Sequence, residues 1–149
     1  MDQLRRYLRE KTDGDLLPWE VQEEAARRFD VSPAEVERTA LEDCLLSARY
    51  QRNRQMISAA EQLRLFRSRV AVLGCGGLGG YVLEGLARLG VGRIVAVDPD
   101  VFEEHNLNRQ LLSTPATLGK SKVASAVERI SAISPAVTVT PLQETFSAE

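Results

Sequence analysis

Five glycines fall within seven residues, Gly74-Cys75-Gly76-Gly77-Leu78-Gly79-Gly80. Glycine loses more backbone freedom on ordering than any other residue, so such a stretch is neither a packed helix nor a strand. It is a loop whose shape demands bare backbone. Its flanks narrow the fold further. Val70-Ala71-Val72-Leu73 is a short apolar run, the pattern of a buried strand. Leu78, Val82, Leu86 and Leu89 recur at helical spacing and stop at Gly90. Arg93-Ile94-Val95-Ala96-Val97-Asp98 reads as a second buried strand. Strand, glycine loop, helix and strand in that order predict parallel strands joined by a right-handed crossover.

The pattern continues downstream. Residues 121–133 predict another helix, with Val123, Val127 and Ile130 on one face. Val137-Thr138-Val139-Thr140 predicts a third strand, ended by Pro141. The fold class is therefore α/β, a Rossmann-like parallel sheet of about three strands, incomplete, after a small helical N-terminal region. The loop fits G-x-G-x-x-G at Gly74, Gly76 and Gly79, with Gly77 inside it. Glycine there lets the chain turn tightly, lets phosphate oxygens reach backbone N–H groups, and lets the helix pack close to the strand. The helix N-terminus then meets the phosphates with its partial positive charge. Asp98 ends the second strand 19 residues after Gly79, placed to accept hydrogen bonds from ribose hydroxyls. The bland reading is a tight turn and nothing more; the complete strand–loop–helix–strand–acid order favours a nucleotide.

The first part of the chain is different. Residues 1–69 carry 13 basic and 13 acidic residues; residues 70–149 carry 6 and 8, together with nine of the ten glycines. Residues 2–11 predict a charged helix, broken around Gly14. A second follows, with Pro18 in its first turn and Val21, Ala25 and Phe29 on one face. Ser32-Pro33-Ala34-Glu35 is a capping box opening a helix whose apolar stripe runs to about Ser47, with Cys44 in the core. Ser58-Ala59-Ala60-Glu61 opens another. The domains are then a helical extension, 1–48, and a nucleotide-binding domain, 49–149. Residues 18–47 also have the outline of a helix-turn-helix. Glu35, Glu37, Glu42 and Asp43 on its second helix argue against DNA, so charge disfavours nucleic acid as a partner.

A net charge of −2 excludes a generally basic nucleic-acid or membrane binder. No apolar run reaches the roughly 20 residues of a membrane helix. The N-terminus lacks a signal-peptide core, and Cys44 and Cys75 cannot form a disulfide framework, so the cytoplasm is the expected compartment. Cys75 reads as a small residue between glycines, although a helix N-terminus favours thiolate. His105, Glu103 and Glu104 read as solvated loop residues, and Trp19 as a packing residue.

Which nucleotide is decided elsewhere. Arg49-Tyr50-Gln51-Arg52-Asn53-Arg54-Gln55 lies upstream of the loop. Asp98 and Asp100 end the second strand, Asn106-Leu107-Asn108-Arg109-Gln110 follows, and Lys122 opens the next helix. Cations suit a triphosphate better than a nicotinamide. These stretches resemble the ThiF/MoeB/HesA adenylyltransferases, relatives of the ubiquitin-activating enzymes. The matching segments are NRQMI at 53–57, GCGGLGG at 74–80, GVGRIVAVDPDVFEEHNLNRQ at 90–110 and LGKSKVASA at 118–126.

The resemblance implies ATP and Mg²⁺, with AMP transferred to the C-terminal carboxylate of a ubiquitin-like sulfur-carrier protein. It implies that Gly74, Gly76, Gly77, Gly79, Asp98, Asp100, Asn106 and Gln110 contact the nucleotide. Arg109 and Lys122 would line the phosphate path. Arg54 matches an arginine finger that reaches the γ-phosphate from the other subunit of a homodimer. Lys120 does not match the lysine position. No metal ligand is assigned, because the family's metal-binding aspartate lies in sequence beyond this chain. The chain thus resembles the ATP-recognition half of such an enzyme, with weak nucleotide binding and no turnover expected of it alone. The alternatives are an NAD-binding oxidoreductase domain and a non-catalytic nucleotide-binding or docking module.

Overall fold

The computed structural model describes residues 2–147. The chain divides into two compact units after Arg67.

The first unit holds α1 (Asp2–Lys11), β1 (Leu16–Leu17), α2 (Trp19–Phe29), α3 (Pro33–Glu42), β2 (Leu46–Ser47) and α4 (Ala59–Arg67). Its helices start where their caps dictate. Ser32 Oγ accepts the Glu35 N–H at 3.2 Å, with Pro33 in the first turn. Ser58 and Glu61 exchange both bonds of a capping box, at 2.9 and 3.3 Å. Pro18 is the N-cap of α2 rather than part of its first turn. Leu4, Leu8, Leu17, Ala25, Val36, Ala40 and Leu45 form the apolar core, and Tyr7 meets Phe29 edge-on at 5.5 Å. The parallel pairing of β1 with β2 brings Leu17 opposite Ser47.

The predicted helix running to Ser47 is corrected here: α3 stops at Glu42. Cys44 takes a left-handed φ of 60°. The Leu45 N–H then bonds Ala40 O at 2.9 Å and the Cys44 N–H bonds Leu41 O at 3.1 Å, which closes the helix. That turn points the thiol outward, so Cys44 is exposed and not a core residue. Glu42 and Asp43 sit at the helix C-terminus, the end the helix dipole makes unfavourable for acids. Arginines offset this: Arg5 pairs with Asp43 and with Glu42 (2.8 Å), Arg9 with Asp43 (3.0 Å) and Arg67 with Glu42 (2.9 Å).

The second unit holds β3 (Arg69–Leu73), α5 (Gly79–Leu89), β4 (Arg93–Val97), α6 (Lys122–Ile133) and β5 (Thr138–Leu142). The sheet order is β3-β4-β5, all parallel, with Val70 opposite Ile94 and Ile94 opposite Val139. Helices α5 and α6 pack on one another, so both crossovers lie on one face of the sheet. Glu84 of α5 ties them together, bonded to Arg129 at 2.9 Å and to Arg88 at 2.7 Å. Ile94 and Ala96 are fully buried beneath the helices.

Two strand expectations change. The apolar run at 70–73 is only half covered: Ala71 and Leu73 face away from the helices and are exposed, Leu73 by 52%. Pro141 does not end the third strand but lies within β5, opposite Ala96. Thr138 N–H donates to Gly92 O and Leu142 O accepts from Asp98 N–H, so the even-numbered residues face β4. The N–H that proline lacks would point away from the ladder, where its loss costs no sheet bond.

Candidate functional site

The site is the junction of the glycine loop, the end of β4 and the start of α6. Gly74 turns out of β3 at a left-handed φ of 87°, its N–H donating to Val97 O at 2.8 Å. Gly79 is required for another reason. A Cβ there would stand 1.7 Å from Gly74 O, so only hydrogen allows α5 to start so close to the turn. A Cβ added at Gly77 would meet nothing within 4 Å, which leaves open space at the loop's outer edge. The Gln110 side chain packs 3.5 Å from where a Cβ of Gly76 would stand, and its buried Oε1 has no partner among the described residues. No side chain caps α5, so its N-terminus keeps backbone donors at the loop.

Asp98 is buried and holds the loop to the strand. Its Oδ2 accepts the Cys75 N–H at 2.7 Å and its Oδ1 the Asp100 N–H at 2.8 Å. Asp100 in turn binds Lys122: Oδ2 to Nζ at 3.1 Å, and its C=O to the Lys122 N–H at 3.0 Å. Glycine loop, strand end and helix start are therefore linked in one polar chain. The Lys122 charge is felt at the loop. Burial first, then Asp98, pushes the Cys75 thiol up to about 11, while Lys122 acts in the opposite sense. The thiol is fully buried and held protonated, so the thiolate that a helix N-terminus favours does not form at neutral pH.

The 104–110 segment is a 3₁₀ turn followed by a loop. Asn106 is buried, and its Oδ1 accepts the Glu103 N–H at 2.9 Å, so its carbonyl serves the turn. Arg109 is exposed; its guanidinium donates to His105 O (2.9 Å) and Asn108 Oδ1 (3.0 Å). His105 pairs with Glu103 across 3.2 Å, and Lys120 with Glu128 across 3.7 Å. Arg54 lies in the first unit, on a turn beside Arg52, and pairs with Asp15 at 3.0 Å. The structure thus brings Gly74, Gly76, Gly79, Asp98, Asp100, Gln110 and Lys122 into one neighbourhood. The Asp100–Lys122 and Asp15–Arg54 pairs had no sequence signal, because residues 22 and 39 apart carry no periodicity that links them.

A nucleotide fits this donor set: a bare loop, a helix N-terminus, an acid at the strand end and a seated ammonium. A resident Mg²⁺ does not. Among the described residues no three His, Cys, Asp or Glu side chains come together. Asp98 is committed to backbone donors and Asp100 to Lys122. Among the described residues no helix is long and apolar enough to cross a membrane.

Known proteins resemble this chain in sequence and fold. The chain is 36% identical over 128 residues to the pig (Sus scrofa) adenylyltransferase and sulfurtransferase MOCS3, covering 85% of this chain and 28% of that protein. It is 49% identical over 78 residues to the probable adenylyltransferase/sulfurtransferase MoeZ of Mycobacterium tuberculosis, covering 52% and 20%. Among solved structures, E. coli tRNA N6-threonylcarbamoyladenosine dehydratase, TcdA, in complex with ATP superposes with a TM-score of 0.64 at 28% identity, covering 66% of this chain and 41% of that one. The chain spans less than half the length of each of these relatives. The ThiF family model matches residues 50–149, two thirds of the sequence, and the chain belongs to the ThiF family.

Proposed function

We propose that this chain binds ATP and carries the nucleotide-binding part of an adenylyltransferase. The observation that carries the reading is Lys122. Its side chain is 8% exposed, fixed at the N-terminus of α6 and linked through Asp100 and Asp98 to the glycine loop. In this reading Asp98 accepts the ribose hydroxyls with its remaining lone pairs. The loop from Gly74 to Gly79 and the start of α5 take the phosphates. Gly76 and Gly77 leave room for them, and Asn106, Gln110 and Asp100 border the nucleotide.

The substrate is a carboxylate, the C-terminal one of a ubiquitin-like sulfur-carrier protein, as the likeness to MOCS3 and MoeZ suggests. A carboxylate oxygen forms a bond to the α-phosphorus, and the bond from that phosphorus to the bridging oxygen breaks. Pyrophosphate leaves with its new charge facing Lys122 and Arg109. Arg54, from a second copy in a homodimer, adds a third cation. No side-chain nucleophile takes part; the protein positions the reactants and stabilises charge. The likeness to a tRNA-modifying dehydratase supports a second reading, in which the carboxylate is borne by tRNA.

Calorimetric titration with ATP, ATP·Mg and NAD tests the proposal. ATP binds, NAD does not compete, and Lys122→Ala weakens ATP by about 1–3 kcal/mol, the range for a hydrogen bond to a charged group. NAD binding that Lys122→Ala leaves unchanged identifies an oxidoreductase-type site instead.

A further inference from the structure

We propose that Asp100 is a positioning residue whose carboxylate seats the Lys122 ammonium at the mouth of the glycine loop, so that an arriving phosphate meets a cation already in place. The inference rests on the nucleotide reading for its purpose, but the pair itself stands on the geometry.

Lys122 is the first residue of α6. A cation there opposes the helix dipole, which favours acids at that end. Its side chain is also 8% exposed, although an ammonium on a flexible four-carbon stem ordinarily stays in water. Helix stability and solvation therefore both work against a lysine at this position, and something must offset them. Asp100 does, at 3.1 Å, while its own side chain remains 64% exposed. A buried charge next to a solvated counterion is tolerated where an unpaired one is not.

The pair is held rigidly from both ends. Asp98 Oδ1 accepts the Asp100 N–H and so fixes the turn that carries the carboxylate. The strand ends and the approach to α6 are stitched together: Lys122 N–H to Asp100 O (3.0 Å), Phe102 N–H to Lys120 O (3.0 Å) and Gly119 N–H to Phe102 O (2.9 Å). Fully buried Phe102 anchors this seam. Asp100 takes one of the three ammonium donors, which leaves the others for a phosphate at the same helix N-terminus.

The chain has three lysines, Lys11, Lys120 and Lys122, which makes the proposal readable without a nucleotide. The experiment is trace acetylation of the whole chain with acetic anhydride. Site rates come from fragment-ion mass spectrometry, for the wild type, Asp100→Asn and Asp100→Glu. Lys120, already half exposed, is the internal reference for reagent dose, and thermal melts of each variant report unfolding. Lys122 reacts more slowly than Lys120 in the wild type. Asp100→Asn speeds Lys122 by about threefold or more at constant Lys120, the scale of losing one hydrogen bond of ordinary net strength. Asp100→Glu restores the slow rate. In parallel, Asp100→Asn weakens ATP in calorimetry by about three- to tenfold, and Asp100→Glu recovers most of the loss. An unchanged Lys122 rate in Asp100→Asn overturns the proposal. So does ATP binding by Asp100→Asn as tight as the wild type's or tighter, the tighter result making Asp100 a competitor for the ammonium. Failure of the wild type to bind ATP overturns the nucleotide reading, and the labelling still decides whether Asp100 seats the lysine.

Discussion

At the scale of one residue, burial decides how Glu37 titrates. It is buried in α3, and its Oε2 touches Ser47 Oγ. Ser47 Oγ also lies 3.2 Å from Gln22 Oε1, and Gln22 Nε2 donates to Leu17 O at 3.1 Å. The last bond fixes the amide orientation, so Gln22 presents an acceptor to Ser47. Ser47 Oγ donates to Glu37 Oε2, the nearer of these two acceptors. Burial pushes the Glu37 carboxyl up, against a smaller opposing pull from Ser47 and Arg49, and the neighbouring Tyr50 is itself held neutral by burial. The folded value lies above the unfolded one, so this stabilisation is complete below the unfolded value and is lost as pH rises through the folded value. Glu37→Gln keeps an acceptor for the Ser47 hydroxyl and removes the titration. In thermal melts from pH 5 to 8, the stability of Glu37→Gln relative to wild type rises with pH, reaching about 1–3 kcal/mol once the wild-type carboxyl ionises. Parallel pH profiles for the two proteins would mean that Glu37 does not titrate in the fold.

At the scale of elements, starts were legible and stops were not. Ser32 and Ser58 announced two helices because a cap is a local contact, three residues long. Gly90 announced the end of α5 for the same reason. Asp30 and Cys44 end α2 and α3 in the left-handed region without being glycine. Nothing nearby marks them, because core packing of the next residue fixes those turns: Leu45 is buried after Cys44, and Val31 is partly buried after Asp30. Within the glycine loop, the sequence shows five glycines but not which one is indispensable. The 1.7 Å approach to Gly74 O singles out Gly79. Gly79→Ala lowers the stability of the second unit by about 3 kcal/mol or more, as overpacking against backbone does. Gly77→Ala, with open space around it, stays within about 1 kcal/mol of wild type. Chemical denaturation of the two variants checks the contrast, and equal losses would contradict the geometry.

At the scale of the molecule, the second unit has a sheet with helices on one face and apolar side chains on the other. Ala71 and Leu73 of β3 are exposed there, and so is Leu142 of β5 by 38%, across β4 from Leu73. Exposed apolar faces and open sheet edges promote association. Sedimentation velocity of this chain shows concentration-dependent association, and Leu73→Glu reduces it; no dependence on concentration in the wild type would show the face to be inert. The alternation of strands and helices, the glycine loop and the terminal acid were all readable from sequence, since each is a local pattern of two, three or four residues. The sequence alone therefore determined the parallel α/β arrangement and the place of the glycine loop. Only the tertiary structure decided that Lys122 is buried against Asp100, that Asp98 commits both oxygens to backbone donors, and that one sheet face lies open. Those are meetings between residues far apart in the chain, set by how the elements pack rather than by any spacing within them.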